Sequence, residues 1–170
     1  MKKILTYLCL VSILLLVGAC GTTPEQEVTE VTTEQAPNPF VGTWVLNVAK
    51  SEFNPPDSAL KSATVVIGAQ ENGLTFTFDS VDAEGNEAHS EAAPKFDENT
   101  YPVTGNESED SVKMKRLDAN SFESVSYKDG EEVSDVQVVI SDDGQTSTAT
   151  IKTKAEDGQE VTSVLVYDKQ

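Results

Sequence analysis

The chain has 170 residues, 29 of them acidic and 12 basic, and its formal charge of −17 argues against binding nucleic acid or bare anionic lipid. Its length suits one folded domain, and 38% hydrophobic residues can supply a core. The two cysteines are Cys9 and Cys20 and the one histidine is His89, which argues against a disulfide framework and a multi-histidine metal centre. We expect no nucleic-acid partner, no metal and no cofactor.

An apolar run, Ile4–Val17, is the first element of the chain and follows Lys2 and Lys3. It is too short to cross a bilayer comfortably but is typical of the core of an export signal. The run ends in Val17-Gly18-Ala19-Cys20-Gly21, which resembles the lipobox of bacterial lipoproteins. The alternative is an ordinary cleaved signal peptide, in which Cys20 has no role.

The lipobox resemblance implies cleavage before Cys20, acylation (palmitate) of that cysteine, and a protein anchored to the bacterial cell envelope by its N-terminal lipid. Each buried acyl methylene contributes about 0.8 kcal/mol, so two or three chains hold a domain on a membrane stably. In that family a residue other than Asp after the cysteine directs the protein to the outer membrane. Gly21 therefore implies an outer-membrane location facing the periplasm.

A spacer follows the lipobox. Residues 21–39 contain four Glu, five Thr and three Pro, with neither Lys nor Arg, and such a composition cannot build a core. We expect a flexible acidic linker. The predicted organisation is a signal peptide over 1–19, a lipidated Cys20 with its linker over 20–39, and a folded domain over 40–170.

From residue 40 onward the chain alternates apolar and polar residues, most clearly in Leu74-Thr75-Phe76-Thr77-Phe78-Asp79. This period of two predicts strands with one buried face. A short helical turn within Val48–Phe53 is stopped by Pro55 and Pro56. The nine predicted strands are Phe40–Asn47, Lys61–Gln70, Leu74–Val81, Asn86–Phe96, Ser111–Leu117, Ser121–Lys128, Glu131–Ile140, Gln145–Lys154 and Glu160–Tyr167.

Short turns such as Asn72-Gly73, Asp129-Gly130 and Asp143-Gly144 separate the predicted strands. Strands joined in this way form an antiparallel up-and-down meander, which must either close or leave exposed edges. We therefore predict an all-β fold, a closed β-barrel of about 8–10 strands. A sandwich or blade arrangement is the alternative.

Gly42-Thr43-Trp44 on the first strand resembles the Gly-x-Trp of the lipocalin and calycin barrels. In that group the glycine lets the strand bend, the tryptophan plugs the closed end, and a late arginine covers the tryptophan. The only arginine here is Arg116, in the middle of the predicted barrel. The resemblance implies a calycin-like barrel that binds ligands.

A closer similarity covers essentially the whole domain and carries no catalytic assignment. The domain is similar to small exported bacterial lipoproteins of unknown activity. The similarity rests on Gly42–Ser51, Tyr101–Gly105, Lys115–Asn120 and Val166–Gln170.

His89 lies between Glu87 and Glu91, where it is a candidate general base, metal ligand or haem ligand, or part of an exposed polar strand face. The sequence has no nucleophile elbow or other organised nucleophile, so we expect no enzyme activity.

Arg116 has two possible positions. Facing inward, it would cap Trp44 or bind an anionic head group; facing outward, it would neutralise nearby acids. Tyr101 lies in the segment 97–110, which we read as either a functional loop at the barrel mouth or a simple crossing loop. The candidate ligand-binding residues are Trp44, Phe76, Phe78, His89, Tyr101 and Arg116.

Two functions remain open from the sequence. The first is a membrane-anchored lipoprotein whose barrel binds a small apolar or amphipathic ligand. The alternative is a structural or interaction lipoprotein whose barrel is filled by its own side chains, with a protein partner that the sequence does not identify. Interior volume separates the two. Small residues on one predicted face, Ala88, Ser90 and Ala92, favour a cavity.

Overall fold

Ten strands make up most of the chain that the computed structural model describes, residues 38–154 and 158–170. The predicted signal peptide 1–19, Cys20 and the linker up to residue 37 lie outside the described residues. Within the described ranges no helix is long and apolar enough to span a membrane. The strands are β1 Gly42–Leu46, β2 Leu60–Gln70, β3 Gly73–Asp82, β4 Glu87–Ala92, β5 Tyr101–Thr104, β6 Ser111–Arg116, β7 Ser121–Lys128, β8 Glu131–Ile140, β9 Thr146–Lys154 and β10 Glu160–Lys169.

The sheet closes on itself. Each strand pairs antiparallel with the next one along the chain, and β1 pairs with both β2 and β10. Trp44 accordingly lies opposite Val65 on one side and Lys169 on the other. Closure pairs the strands that would otherwise be exposed edges. The predicted closed antiparallel barrel is confirmed, and the sandwich alternative is wrong.

Alternation along each strand divides the side chains between interior and exterior, as β3 illustrates. Leu74 is fully buried and Phe76 lines the interior, whereas Thr75 between them is exposed. Successive side chains of a strand point to opposite faces of the sheet. The single-turn 3₁₀ helices Val48–Lys50 and Pro56–Ser58 lie between β1 and β2.

Strand β5 was not predicted, because Tyr101–Thr104 fell in the segment that we expected to be a loop. It has only four residues and includes Pro102, a residue that disfavours strands. Its pairing is equally brief, with two opposed residue pairs to β4 and two to β6. The neighbouring strands therefore define β5 more than its own residues do. The nine predicted strands are present; β7 and β8 have the predicted bounds, and the other seven have shifted ends.

One end of the barrel is filled by a cluster that we call the closed end: Phe40, Trp44, Leu74, Met114 and Phe122, each at most 3% exposed. Trp44 Nε1 donates to the carbonyl oxygen of Phe40 at 2.8 Å. The Phe40 ring packs edge-on against Phe122, with centroids 5.1 Å apart. Phe40 was predicted to begin the first strand. It instead lies in a turn before β1 and fills the barrel end.

Gly42 lies between the two main closed-end residues, Phe40 and Trp44. Its φ of +143° is one that residues with a side chain rarely adopt. This conformation carries the chain from the Phe40 turn into β1. The bend that the calycin resemblance implied for this glycine is present.

We predict that Phe40→Ala will lower the free energy of unfolding by about 3–5 kcal/mol, since it removes a fully buried ring and leaves a cavity against Phe122. Val139→Ala, at a side chain that is 44% exposed on β8, is the control and will change it by less than about 1 kcal/mol. Urea unfolding followed by circular dichroism measures both values. Equal losses in the two variants would contradict the assignment of Phe40 to the closed end.

Candidate functional site

The barrel interior holds a cavity of about 330 Å³. This volume lies at the lower end of the range for small-molecule pockets, about 300–1,000 Å³. All ten strands contribute to its wall, which is mainly apolar. Its larger apolar side chains are Trp44, Val65, Ile67, Phe76, Phe78, Val103, Val112, Met114, Phe122, Val136, Val138 and Ile151.

Hydroxyl groups interrupt the apolar wall: Ser90, Ser124, Ser126, Ser134, Ser147 and Tyr167. Ser126 lies directly opposite Ser134 across the β7–β8 pair. Within the described ranges, no hydrogen bond joins any of these six hydroxyls to another protein group. No fully buried side-chain oxygen or nitrogen there lacks a partner, so the six hydroxyls are open to the cavity. They are available to donate to and accept from a bound molecule.

Tyr167 on β10 is the largest of these hydroxyl-bearing residues and is only 6% exposed. Burial raises the pKa of its phenol to about 12, because the charged phenolate is poorly solvated there. A phenol is already protonated at neutral pH at its usual pKa of 10, and the raised pKa extends this to more alkaline solution, so the group can donate a hydrogen bond.

The loop between β5 and β6 brings polar groups to the cavity wall. Asn106 and Glu109 both line the cavity, and Asn106 Nδ2 donates to Glu109 Oε1 at 3.0 Å. Gly105, with φ of +81°, lies against the backbone of His89 and Ser90, where a Cβ would collide with the carbonyl oxygen of His89. Glycine at 105 thus allows the loop to pack closely on β4.

Three of the six candidate ligand-binding residues lie together at the cavity. Trp44 rises from the closed end, while Phe76 and Phe78 project from β3 beside Ser90 and Ala92 of β4. The small residues predicted to favour a cavity therefore line it at two of the three positions. The other three candidates, His89, Tyr101 and Arg116, do not line the cavity.

His89 is on the outer face of β4, because its neighbour Ser90 takes the interior position. Its Nδ1 lies 2.6 Å from Asp79 Oδ1, and its Nε2 lies 3.7 Å from Glu91 Oε1. The hydrogen bond to Asp79 raises the pKa of His89 above its usual value of 6.5. His89 is thus an exposed member of an acidic strand face. Among the described residues, no group of three or more His, Cys, Asp or Glu is placed to hold a metal ion.

Tyr101 is half-buried on β5 and does not line the cavity; Val103 from the same strand does. Its hydroxyl donates to Asp97 Oδ2 at 2.8 Å. This bond raises the pKa of Tyr101, and it lowers that of Asp97 together with a larger contribution from the backbone amide of Asn99. This hydrogen bond therefore links the first residue of β5 to the segment that precedes the strand.

Arg116 is exposed and covers the closed end from outside. Its guanidinium carbon lies 5.1 Å from the centroid of the Phe40 ring and 5.4 Å from that of Phe96. Its side chain donates to the carbonyl oxygens of Asp118 and Ala119 at 3.0 and 2.9 Å. Arg116 therefore does not take the inward position: it does not line the cavity and its guanidinium lies over Phe40 and Phe96, not over Trp44. Lys169 lies over the Trp44 ring instead, at 5.0 Å.

Sequence reasoning missed most of the polar groups that line the cavity. Ser124 and Ser126 alternate with Phe122 on β7, so the period of two does place them on the interior face. Serine is polar, however, so the sequence is equally consistent with a surface position for these residues. Asn106 and Glu109 lie in a loop, where no periodicity assigns a direction.

No protein-family model and no curated protein matches the sequence. Among solved structures, the zebrafish ileal bile acid-binding protein complexed with cholic acid superposes with a TM-score of 0.50 at 12% identity, covering 78% of this chain and 99% of that one. The domain has the lipocalin/calycin-like barrel fold. The structure of the siderocalin Ex-FABP also matches, with a TM-score of 0.38 and 13% identity over 78% of this chain and 71% of the other. At these identities, the likeness of the calycin-like barrel to the zebrafish protein concerns the fold alone.

We predict that Gly105→Ala will lower the free energy of unfolding by about 1–3 kcal/mol more than Gly144→Ala. Both glycines have positive φ, but a Cβ at 144 meets open space whereas one at 105 collides with β4. The difference between the variants in urea unfolding isolates the cost of the collision. Equal losses would show that the loop does not pack on β4.

We predict that the pKa of His89 lies above 6.5 and that Asp79→Asn will lower it. Because the folded pKa is the higher one, protonated His89 stabilises the fold below about pH 6.5, and this contribution is lost as the pH rises through the folded value. His89 is the only histidine, so its ring proton signals in an NMR titration need no assignment. Asp135→Asn, remote on β8, is the control. The same pKa in all three proteins would contradict the pairing.

Proposed function

We propose that the protein is an exported, lipid-anchored binding protein whose barrel holds a small apolar or amphipathic molecule. The single observation that carries the proposal is the cavity of about 330 Å³ in the barrel interior. An eight-strand barrel is already wide enough to hold one small ligand, and the side chains of this ten-strand barrel leave a space of that kind unfilled. Its mainly apolar wall suits the body of such a molecule.

The open hydroxyls support a ligand rather than an interior filled only by side chains. The alternative, a structural or interaction lipoprotein with a self-filled barrel, accounts for the closed end but not for Ser126 and Ser134, which face the cavity without protein partners. A hydroxyl that is open to the cavity is available for hydrogen bonds to water or to a bound molecule. A bound molecule with hydroxyl or carbonyl groups would satisfy both serines.

The proposed cellular location rests on the lipobox resemblance at Val17–Gly21. Lipidation of Cys20 would hold the barrel on the cell envelope, at the outer membrane facing the periplasm, with the acidic linker as spacer. We propose no catalytic role, since the candidate base His89 faces solvent away from the cavity. The intact mass of the mature protein tests the anchor, because an unacylated chain would contradict it.

The test of binding is native mass spectrometry of the full-length protein, purified gently from its own host. We expect an extra mass that disappears after denaturation and organic extraction. A bare monomer, together with no thermal stabilisation by a panel of lipids and hydrophobic dyes, would contradict binding and favour the structural or interaction role.

A matched pair of variants controls for binding at the surface. Ala149 lines the cavity on β9 and its neighbour Thr148 faces outward. Ala149→Leu will fill part of the cavity and abolish the extra mass, whereas Thr148→Leu will retain it. Ser124→Leu on β7 provides a second filling variant should Ala149→Leu fold poorly. Retention of the extra mass in folded filling variants would place the ligand elsewhere.

A further inference from the structure

The charged groups at the cavity wall identify the class of ligand more closely, and the inference rests on the proposed function. The ten Lys and Arg side chains that follow residue 40 all lie in the described ranges, and none of them lines the cavity. Arg116 and Lys169 have their cationic groups over the Phe40 and Trp44 rings of the closed end, and neither side chain lines the cavity. Nothing at the described wall offers a positive charge to an anion.

The charged residues that do line the cavity are acidic. Glu91 is one, but its carboxylate reaches His89 on the outer face. Glu109 is the other; it is half-buried, and its carboxylate is held by the amide of Asn106, which also lines the cavity. A ligand carboxylate near this half-buried pair would meet a like charge, which is unfavourable.

The remaining polar groups are neutral. The serine hydroxyls can each donate and accept a hydrogen bond, and the protonated phenol of Tyr167 adds a donor. Such groups satisfy hydroxyl and carbonyl oxygens well. They do not offset the cost of removing an ionised carboxylate from water, which requires a paired charge.

We propose that the ligand is an uncharged amphiphile, with an apolar body and hydroxyl or carbonyl groups, and that the cavity discriminates against the corresponding carboxylic acids. The Asn106–Glu109 pair repels the anion, and the Ser126–Ser134 pair holds the neutral polar group. Specificity of this kind is a difference between two affinities, and it comes here as much from the repulsive carboxylate as from the hydroxyls.

The test compares probes that share one body and differ only in the head group: 1-decanol with decanoate, and retinol with retinoic acid, at neutral pH with the full-length protein. Trp44 is the only tryptophan and lines the cavity, so its fluorescence reports binding. We expect each alcohol to bind at least about tenfold more tightly than its acid. An acid that binds as tightly as its alcohol would overturn the uncharged class and leave cavity binding intact. Failure of all four probes would overturn the binding role itself.

A matched pair of variants locates the discrimination. Glu109→Gln removes the charge at the cavity and will raise the affinity for the acids by about threefold to tenfold, with the alcohols unchanged. Glu107→Gln, at an exposed position of the same loop, will change neither affinity. An unchanged ratio of alcohol to acid binding in Glu109→Gln would overturn the role of Glu109.

Discussion

The pairing of β1 with both β2 and β10 is the constraint on which the rest of the structure depends. A strand of only five residues joins the two ends of a ten-strand meander and turns an open sheet into a barrel. Closure gives every strand an inside and an outside. Alternate side chains of all ten strands then share one interior, and neither the closed end nor the cavity would exist in an open sheet.

The interior is divided along its length. At one end the Phe40 turn folds under the barrel, and its carbonyl accepts from the Trp44 indole, so that aromatic and aliphatic side chains fill the space. Beyond the closed end, small residues such as Ala92 and Ala149 leave a cavity. The cations Arg116 and Lys169 lie over the rings of the closed end and do not line the cavity. The polar groups that line the cavity are therefore neutral or acidic.

The candidate site could be predicted only in part. The alternation in β3 correctly placed Phe76 and Phe78 inside, and Gly-x-Trp correctly pointed to Trp44 at the closed end. The same alternation in β4, with Ser90 on the cavity face, is consistent with the exposed strand face that was one of the two interpretations of His89. Arg116 has interior parity, yet it lies at the last position of β6, where a long side chain reaches around the barrel end.

The sequence by itself determined nine of the ten strands, their order and the need for closure, because a period of two and short turns are local properties and unpaired edges are unfavourable in any arrangement. The tertiary structure decided what no local pattern encodes. It paired Tyr101–Thr104 into a strand, brought the Phe40 turn under the barrel, and set Glu109 and the serines around one cavity. These outcomes depend on contacts between residues far apart in the chain, whose geometry exists only once the barrel has closed.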